Sequence, residues 1–197
     1  MQKQQATLFD YYQNTLEKKR YNRTQHGGVN TKGRRKLERP LSSRKWIHLV
    51  LKSDKAKGKL SFLNPKNAQN IKQILKKQAN KFGVKIADYA NVGNHLHLKI
   101  KINNRDSFQK FLKSVTCLIA RKITGASKTN PFGRFWQGLA FTRVLQSSLE
   151  ILNLKGYIQA NRIQAAQGES AREKFLLQFN HWVYRQVNSK TEIYNST

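Results

Sequence analysis

Asn94-His95-Leu96-His97-Leu98-Lys99-Ile100-Lys101-Ile102 alternates polar and apolar residues without a break. Strand side chains point to opposite faces with period two. His95, His97, Lys99 and Lys101 therefore share one face, and Leu96, Leu98, Ile100 and Ile102 share the other. The apolar face can be buried against helices, while the opposite face carries two imidazoles beside two cations. Neutral imidazole is a common ligand for divalent metals. Two protein imidazoles leave coordination positions for phosphate oxygens and water, which is what a Lewis-acid site requires.

The flanking sequence builds a fold around this strand. Residues 45–52 read as a strand, with Ile47, Leu49 and Leu51 on one face and Trp46, His48 and Val50 on the other. Ala68, Ile71, Leu75, Ala79 and Phe82 follow at helical spacing, with Asn64-Pro65 near the start and Gly83 as the stop. Residues 85–91 read as a second strand, and Gly93-Asn94 makes a hairpin-type connection into the histidine strand. Asp106 is the expected cap of the next helix, whose stripe is Phe108, Phe111, Leu112, Val115, Leu118, Ile119 and Ile123. After a polar loop over residues 125–133 comes a fourth strand over residues 139–145. Ser147-Ser148 then caps a helix over residues 149–164, which Gly168-Glu169-Ser170 breaks. A last amphipathic helix carries Phe175, Leu176, Phe179, Trp182, Val183 and Val187.

This order of elements is satisfied by an α+β, ferredoxin-like (RRM-like) arrangement, a four-stranded antiparallel sheet with helices on one face. Its first and third strands are central neighbours. That brings His48 onto the open face, close to His95 and His97.

The chain has 197 residues and a formal charge of +28, from 38 Lys and Arg against 10 Asp and Glu. Such an excess implies a polyanionic partner, because each cation that neutralises a phosphate releases condensed counterions. Cys117 is the only cysteine, which excludes an intrachain disulfide and a cysteine-based zinc cluster. The start lacks an apolar signal core, and no apolar run approaches the length of a membrane span. The expected address is the cytoplasm, in association with the nucleoid. Residues 1–44 read as a basic arm, with a short helix around residues 8–19 and the cluster Lys32, Arg34, Arg35, Lys36, Arg39 and Arg44, which would order on nucleic acid. Residues 45–165 form the expected catalytic domain, and residues 166–197 a helical extension.

A nuclease needs a nucleophile, either a metal-bound water or a side chain. Tyr157 and Asn161 are one turn apart on a helix and face the same way. The Asn161 amide could complete a ligand set with His95 and His97, and Tyr157 would then sit beside the metal. A phenol has a reference pKa near ~10, so it needs activation to attack. Lys99 and Lys101 are the expected phosphate contacts. Trp136, beside Arg134, is the expected stacking residue for unpaired bases, whereas Trp182, on a helix stripe, is expected in the core. His48 reads as a partner of the metal-binding imidazoles, a phosphate contact or a satisfied structural histidine.

Gly93-Asn94-His95-Leu96-His97-Leu98 resembles the His-hydrophobe-His motif of HUH endonucleases, in particular the single-tyrosine transposases that include the IS200-like and REP-associated tyrosine transposases. Further segments match in order. The stretch from Arg39-Pro40-Leu41 to His48-Leu49-Val50-Leu51 looks like the family's first strand and its lead-in. Residues 111–125 look like the helix after the histidine strand. Gly133-Arg134-Phe135-Trp136 resembles a Gly-Arg-aromatic segment. Tyr157-Ile158-Gln159-Ala160-Asn161 resembles the helix that carries the nucleophile and a polar metal ligand. The likeness covers about residues 39–165.

The resemblance implies one Mg²⁺ or Mn²⁺ held by His95, His97 and Asn161. It implies that Tyr157 attacks a single-stranded DNA phosphate, leaving a covalent 5′-phosphotyrosine and a free 3′-OH. Attack by another 3′-OH would rejoin strands, the chemistry of DNA transposition. Relatives recognise hairpin DNA and often work as homodimers, although some act as monomers. Two rival readings are a replication initiator or relaxase-type nickase, and a non-catalytic basic RRM-like nucleic-acid-binding protein. The match at Gly133 to Trp136 argues against the first. RRM-like binding sheets usually carry aromatics at central-strand positions; here those positions hold His95, His97 and Lys99, which argues against the second.

Overall fold

The histidine strand lies inside a five-stranded antiparallel sheet. The computed structural model describes residues 24–28 and 38–194, with side chains through residue 185. Its elements are β1 (Gln25–Gly28), β2 (Ile47–Lys52), α1 (Pro65–Phe82), β3 (Lys85–Asn91), β4 (His95–Lys101), α2 (Arg105–Thr124), β5 (Leu139–Val144), α3 (Ser148–Gln167) and α4 (Glu169–Tyr194). The sheet order is β1-β5-β2-β4-β3. The four expected strands appear in ferredoxin-like order, with β2 and β4 as neighbours.

The fifth strand, β1, was not expected and falls in the segment read as an arm. Gln25-His26-Gly27-Gly28 has no apolar alternation to announce it. It joins the sheet through backbone pairing with β5. Gly27 sits at φ 81°, and a Cβ there would collide with the Ala140 carbonyl, so only glycine allows this approach. The helix expected around residues 8–19, and Arg34, Arg35 and Lys36, lie outside the described residues. Arg39 is drawn out of the expected DNA-facing cluster, because its Nη1 donates to the Ala140 carbonyl and to Thr142 Oγ1 of β5.

The apolar face of the sheet is buried as the alternation requires. Ile47, Leu49 and Leu51 of β2 and Leu96, Leu98 and Ile100 of β4 pack with Ile71 and Leu75 of α1 and with Phe108, Phe111, Val115 and Ile119 of α2. α1 begins where the Asn64 side chain accepts from the Lys66 amide and Pro65 needs no partner, and it ends at Gly83 with φ 64°. α2 is capped by Asn104, not Asp106. Asn104 Oδ1 accepts from the Ser107 amide at 2.8 Å. Asp106 lies in the first turn, where its charge favours the helix dipole and pairs with Lys110 at 2.7 Å.

Helices do not stay on one face. α1 and α2 cover the apolar side, but α3 crosses the histidine side, where Leu154 and Ile158 pack with Ala90 and Leu145. α4 then packs on α3, with the Phe179 ring against Gly156. The stripe of α4 is wider than this contact, so Trp182, expected in the core, is 45% exposed. Among the described residues no helix is long and apolar enough to cross a membrane.

Candidate active site on the histidine face

Register decides which side chains meet on this face. His48 pairs with Lys99 and Val50 with His97 across β2 and β4, so His48 and His97 are diagonal neighbours on one face. Their rings stack at 5.3 Å between centroids, and His48 Nε2 lies 3.0 Å from His97 Nδ1. The His95 ring stands 4.7 Å from that of His97, nearly perpendicular at 80°. The topology-based placement of His48 beside the pair is therefore met.

These contacts bear on which nitrogens are available. His95 Nδ1 is 2.6 Å from the Asn94 side-chain oxygen. A carbonyl oxygen only accepts, so His95 carries its proton on Nδ1 and its lone pair on Nε2. Asn94 had signalled only a turn, and its hold on His95 was missed. His97 is buried, and its Nε2 has no hydrogen-bond partner. Leaving a buried polar atom unpaired costs ~1–3 kcal/mol. A divalent cation would satisfy it, provided the proton between His97 and His48 resides on His97 Nδ1. Both imidazoles would then present Nε2 while a neighbour holds Nδ1, the usual arrangement for metal-binding histidines.

α3 brings the phenol to this cluster because Leu154 and Ile158 anchor the helix on the sheet. The Tyr157 ring centroid is 5.1 Å from that of His97, at 87°, and 6.3 Å from that of His48. Asn161 lies one turn further and is buried; its Nδ2 donates to the Tyr157 carbonyl at 2.8 Å. That bond commits the nitrogen end of the amide and leaves Oδ1 as its acceptor. Among the described residues no group of three or more His, Cys, Asp or Glu could hold a metal.

Burial keeps the imidazoles neutral. It pushes His48 down to about 3, with help from the Arg143 charge. It also lowers His97 well below the ordinary value, with His48 and His95 adding to the effect. His95 is lowered by burial and then by Lys52. The unfolded chain, with imidazoles near ~6.5, takes up protons first as the solution is acidified. Stability is thus complete above about pH 6.5 and declines from there toward about pH 3. One imidazole held neutral in this way costs ~2 kcal/mol at pH 5. Urea unfolding should show a lower midpoint at pH 5 than at pH 7; equal stability at the two values would contradict this burial.

The expected DNA-contacting residues divide. Lys99 and Lys101 lie on the histidine face, their ammonium groups 5.4 Å and 6.0 Å from the Trp46 ring centroid. Arg134 is exposed, and its Nε donates to the Trp136 carbonyl at 3.2 Å. Trp136 is engaged in packing rather than displayed. Its indole N–H donates to the Thr116 carbonyl at 2.9 Å, and its ring lies 5.8 Å from Phe62 and 5.1 Å from Phe135.

The profile of the family described as Transposase IS200 like matches residues 42–161. The chain belongs to this family. The matched span encloses His48, His95, His97, Tyr157 and Asn161. The fold of this IS200-like transposase is similar to that of a REP-associated tyrosine transposase solved bound to a REP hairpin. The TM-score is 0.56 and the identity 11%, over 70% of this chain and 77% of that one. A candidate transposase from Deinococcus radiodurans R1 is 18% identical, over 66% of this chain and 96% of that one, with a TM-score of 0.38. No curated protein matches the transposase.

Proposed function

We propose that this transposase is a metal-dependent single-strand DNA endonuclease and strand transferase that works through a covalent 5′-phosphotyrosine on Tyr157. The observation that carries the proposal is the meeting of the Tyr157 ring with those of His97 and His48, where His97 has a buried, unpartnered Nε2 and stands against His95. His95 and His97 through Nε2, and Asn161 through Oδ1, are the side chains that would hold Mg²⁺ or Mn²⁺. When bound, such a cation withdraws charge from a phosphate oxygen and eases attack at phosphorus. Tyr157 Oη forms the new bond to phosphorus and the bond from phosphorus to O3′ breaks. The phenol proton ends, directly or through solvent, on the departing 3′ oxygen. The phosphodiester energy stays in the tyrosyl ester, so another 3′-OH can reverse the step and join strands without ATP.

Charge supports the same reading. No carboxylate is in the proposed ligand set, and Lys52, Lys99 and Lys101 stand on the strands beside it. A dication there is better accommodated once a polyanion supplies negative charge, so DNA and metal should bind cooperatively. Lys99 and Lys101, on the same face, would hold backbone phosphate. The hairpin bound by the REP-associated neighbour makes hairpin DNA with a single-stranded flank the substrate class to offer first.

The test is incubation with Mn²⁺ and a labelled hairpin carrying randomised flanks. A denaturant-resistant protein–DNA adduct that chelator abolishes is the expected result. Adduct formed in chelator would refute the metal role, and no adduct from the whole pool would refute the endonuclease.

A further inference from the structure

The groove between α3 and α4 has no part in that chemistry, yet it has the make-up of a binding site. It encloses about 310 Å³ at the β3 edge of the sheet. One wall is an aromatic ladder on α4. Phe175 and Phe179 stack at 5.8 Å and 19°, and Phe179 and Trp182 follow at 6.0 Å and 35°. Gly156 lets the Phe179 ring approach α3 more closely than any side chain at that position would allow. Trp182, at the outer end, remains 45% exposed.

The opposite wall is polar and cationic. Lys155 and Arg162 line it from α3, and Asp88 from β3. Arg162 donates through Nε to the Tyr89 carbonyl at 2.8 Å and pairs with Asp88, so its guanidinium is held in place. Lys155 is exposed and makes none of these contacts. Aromatic faces bordered by cations are the means by which proteins hold unpaired bases without reading sequence. The formal charge of +28 favours a polyanion as occupant. A polyanion with flat apolar bases complements both walls.

We infer that the α3–α4 groove binds an unpaired base of single-stranded DNA, stacked on Trp182 with its flanking phosphate at Lys155. Gly156, in the groove, and Tyr157, facing His97, are consecutive and point about 100° apart, so groove and phenol lie on adjoining sides of one helix. A few nucleotides of strand would bridge them, and the groove would set how far from a bound base the strand is cut. The inference takes its polymer from the reading above, but the site is separate.

Fluorescence anisotropy with labelled oligothymidylate and an abasic strand of equal length tests it. The wild-type chain should favour oligothymidylate. Trp182→Leu should cut that preference by ~5-fold or more, while Trp182→Phe keeps most of it. Lys155→Glu should weaken both strands alike. An unchanged base preference in folded Trp182→Leu would overturn the inference. So would a change only from dimer to monomer in sedimentation. Adduct assays on the same variants separate the two proposals: lost base preference with no adduct in any protein supports the groove and sinks the nuclease.

Discussion

Tyr157→Phe protein should form no DNA adduct, with the rate of adduct formation reduced by ~10³-fold or more. The substitution removes one oxygen and keeps the ring that packs 5.1 Å from His97. Folding and strand affinity should therefore stay close to wild type, which distinguishes loss of a nucleophile from loss of a site. No substitute phenol is expected to take over, because the ring contacts that place Tyr157 against His97 and His48 come from the seat of α3 on the sheet. A denaturing gel of wild type and variant with the Mn²⁺ hairpin substrate reads the effect. Adduct of normal yield in the variant would refute the assignment.

Removing the His97 imidazole should have the next largest effect. His97→Ala deletes the buried Nε2 and should abolish measurable Mn²⁺ binding. Because His97 sits in the sheet, the variant also leaves a small void, and a gentler substitution is needed beside it. His48→Phe keeps a ring but cannot share a proton with His97 Nδ1, so His97 loses the partner that fixes its tautomer. Mn²⁺ affinity should fall ~10–100-fold. His48→Gln restores an acceptor and should recover much of it, which a merely structural role would not produce. Calorimetric titration of Mn²⁺ into Tyr157→Phe protein with oligothymidylate, with and without each second change, makes the comparison without turnover. Equal affinity in the His48→Phe protein would show that His48 only packs.

What could be read from the chain follows from where physics is local. Alternation over residues 94–102 is enough to put both histidines on one face, and a split βαβ topology is enough to bring His48 to them. Tyr157 and Asn161 share a helix face by spacing alone. The cover over the histidine face was not legible. α3 packs there through Leu154 and Ile158, and no periodicity says which side of a sheet a helix will choose. β1 was hidden because its pairing is made by backbone and glycine, with no apolar pattern. Asn104 and Asp106 are both good capping residues, and only backbone geometry separates them. Trp136 illustrates the same limit, since a tryptophan beside an arginine fits a base platform or a packed clamp equally well until the Thr116 carbonyl is found on its N–H.

The arrangement also explains a site built with so few acids. With 10 Asp and Glu in the chain against 38 Lys and Arg, the ligands proposed are neutral imidazoles and an amide, and burial holds the imidazoles neutral. On the proposed reading, such a neutral set would hold a cation weakly alone and more firmly once DNA phosphate completed it. Metal and strand would then arrive together, and a dication would not be held idle beside the phenol.

The most direct measurement is the location of the DNA on the protein. Trypsin releases residues 156–162, Gly-Tyr-Ile-Gln-Ala-Asn-Arg, between Lys155 and Arg162, and this peptide contains a single tyrosine. After the adduct is trimmed with nuclease and digested, mass spectrometry should find a nucleotide 5′-phosphate on Tyr157 in that peptide. A nucleotide on any other residue, or the unmodified peptide alone from a purified adduct, would contradict the account.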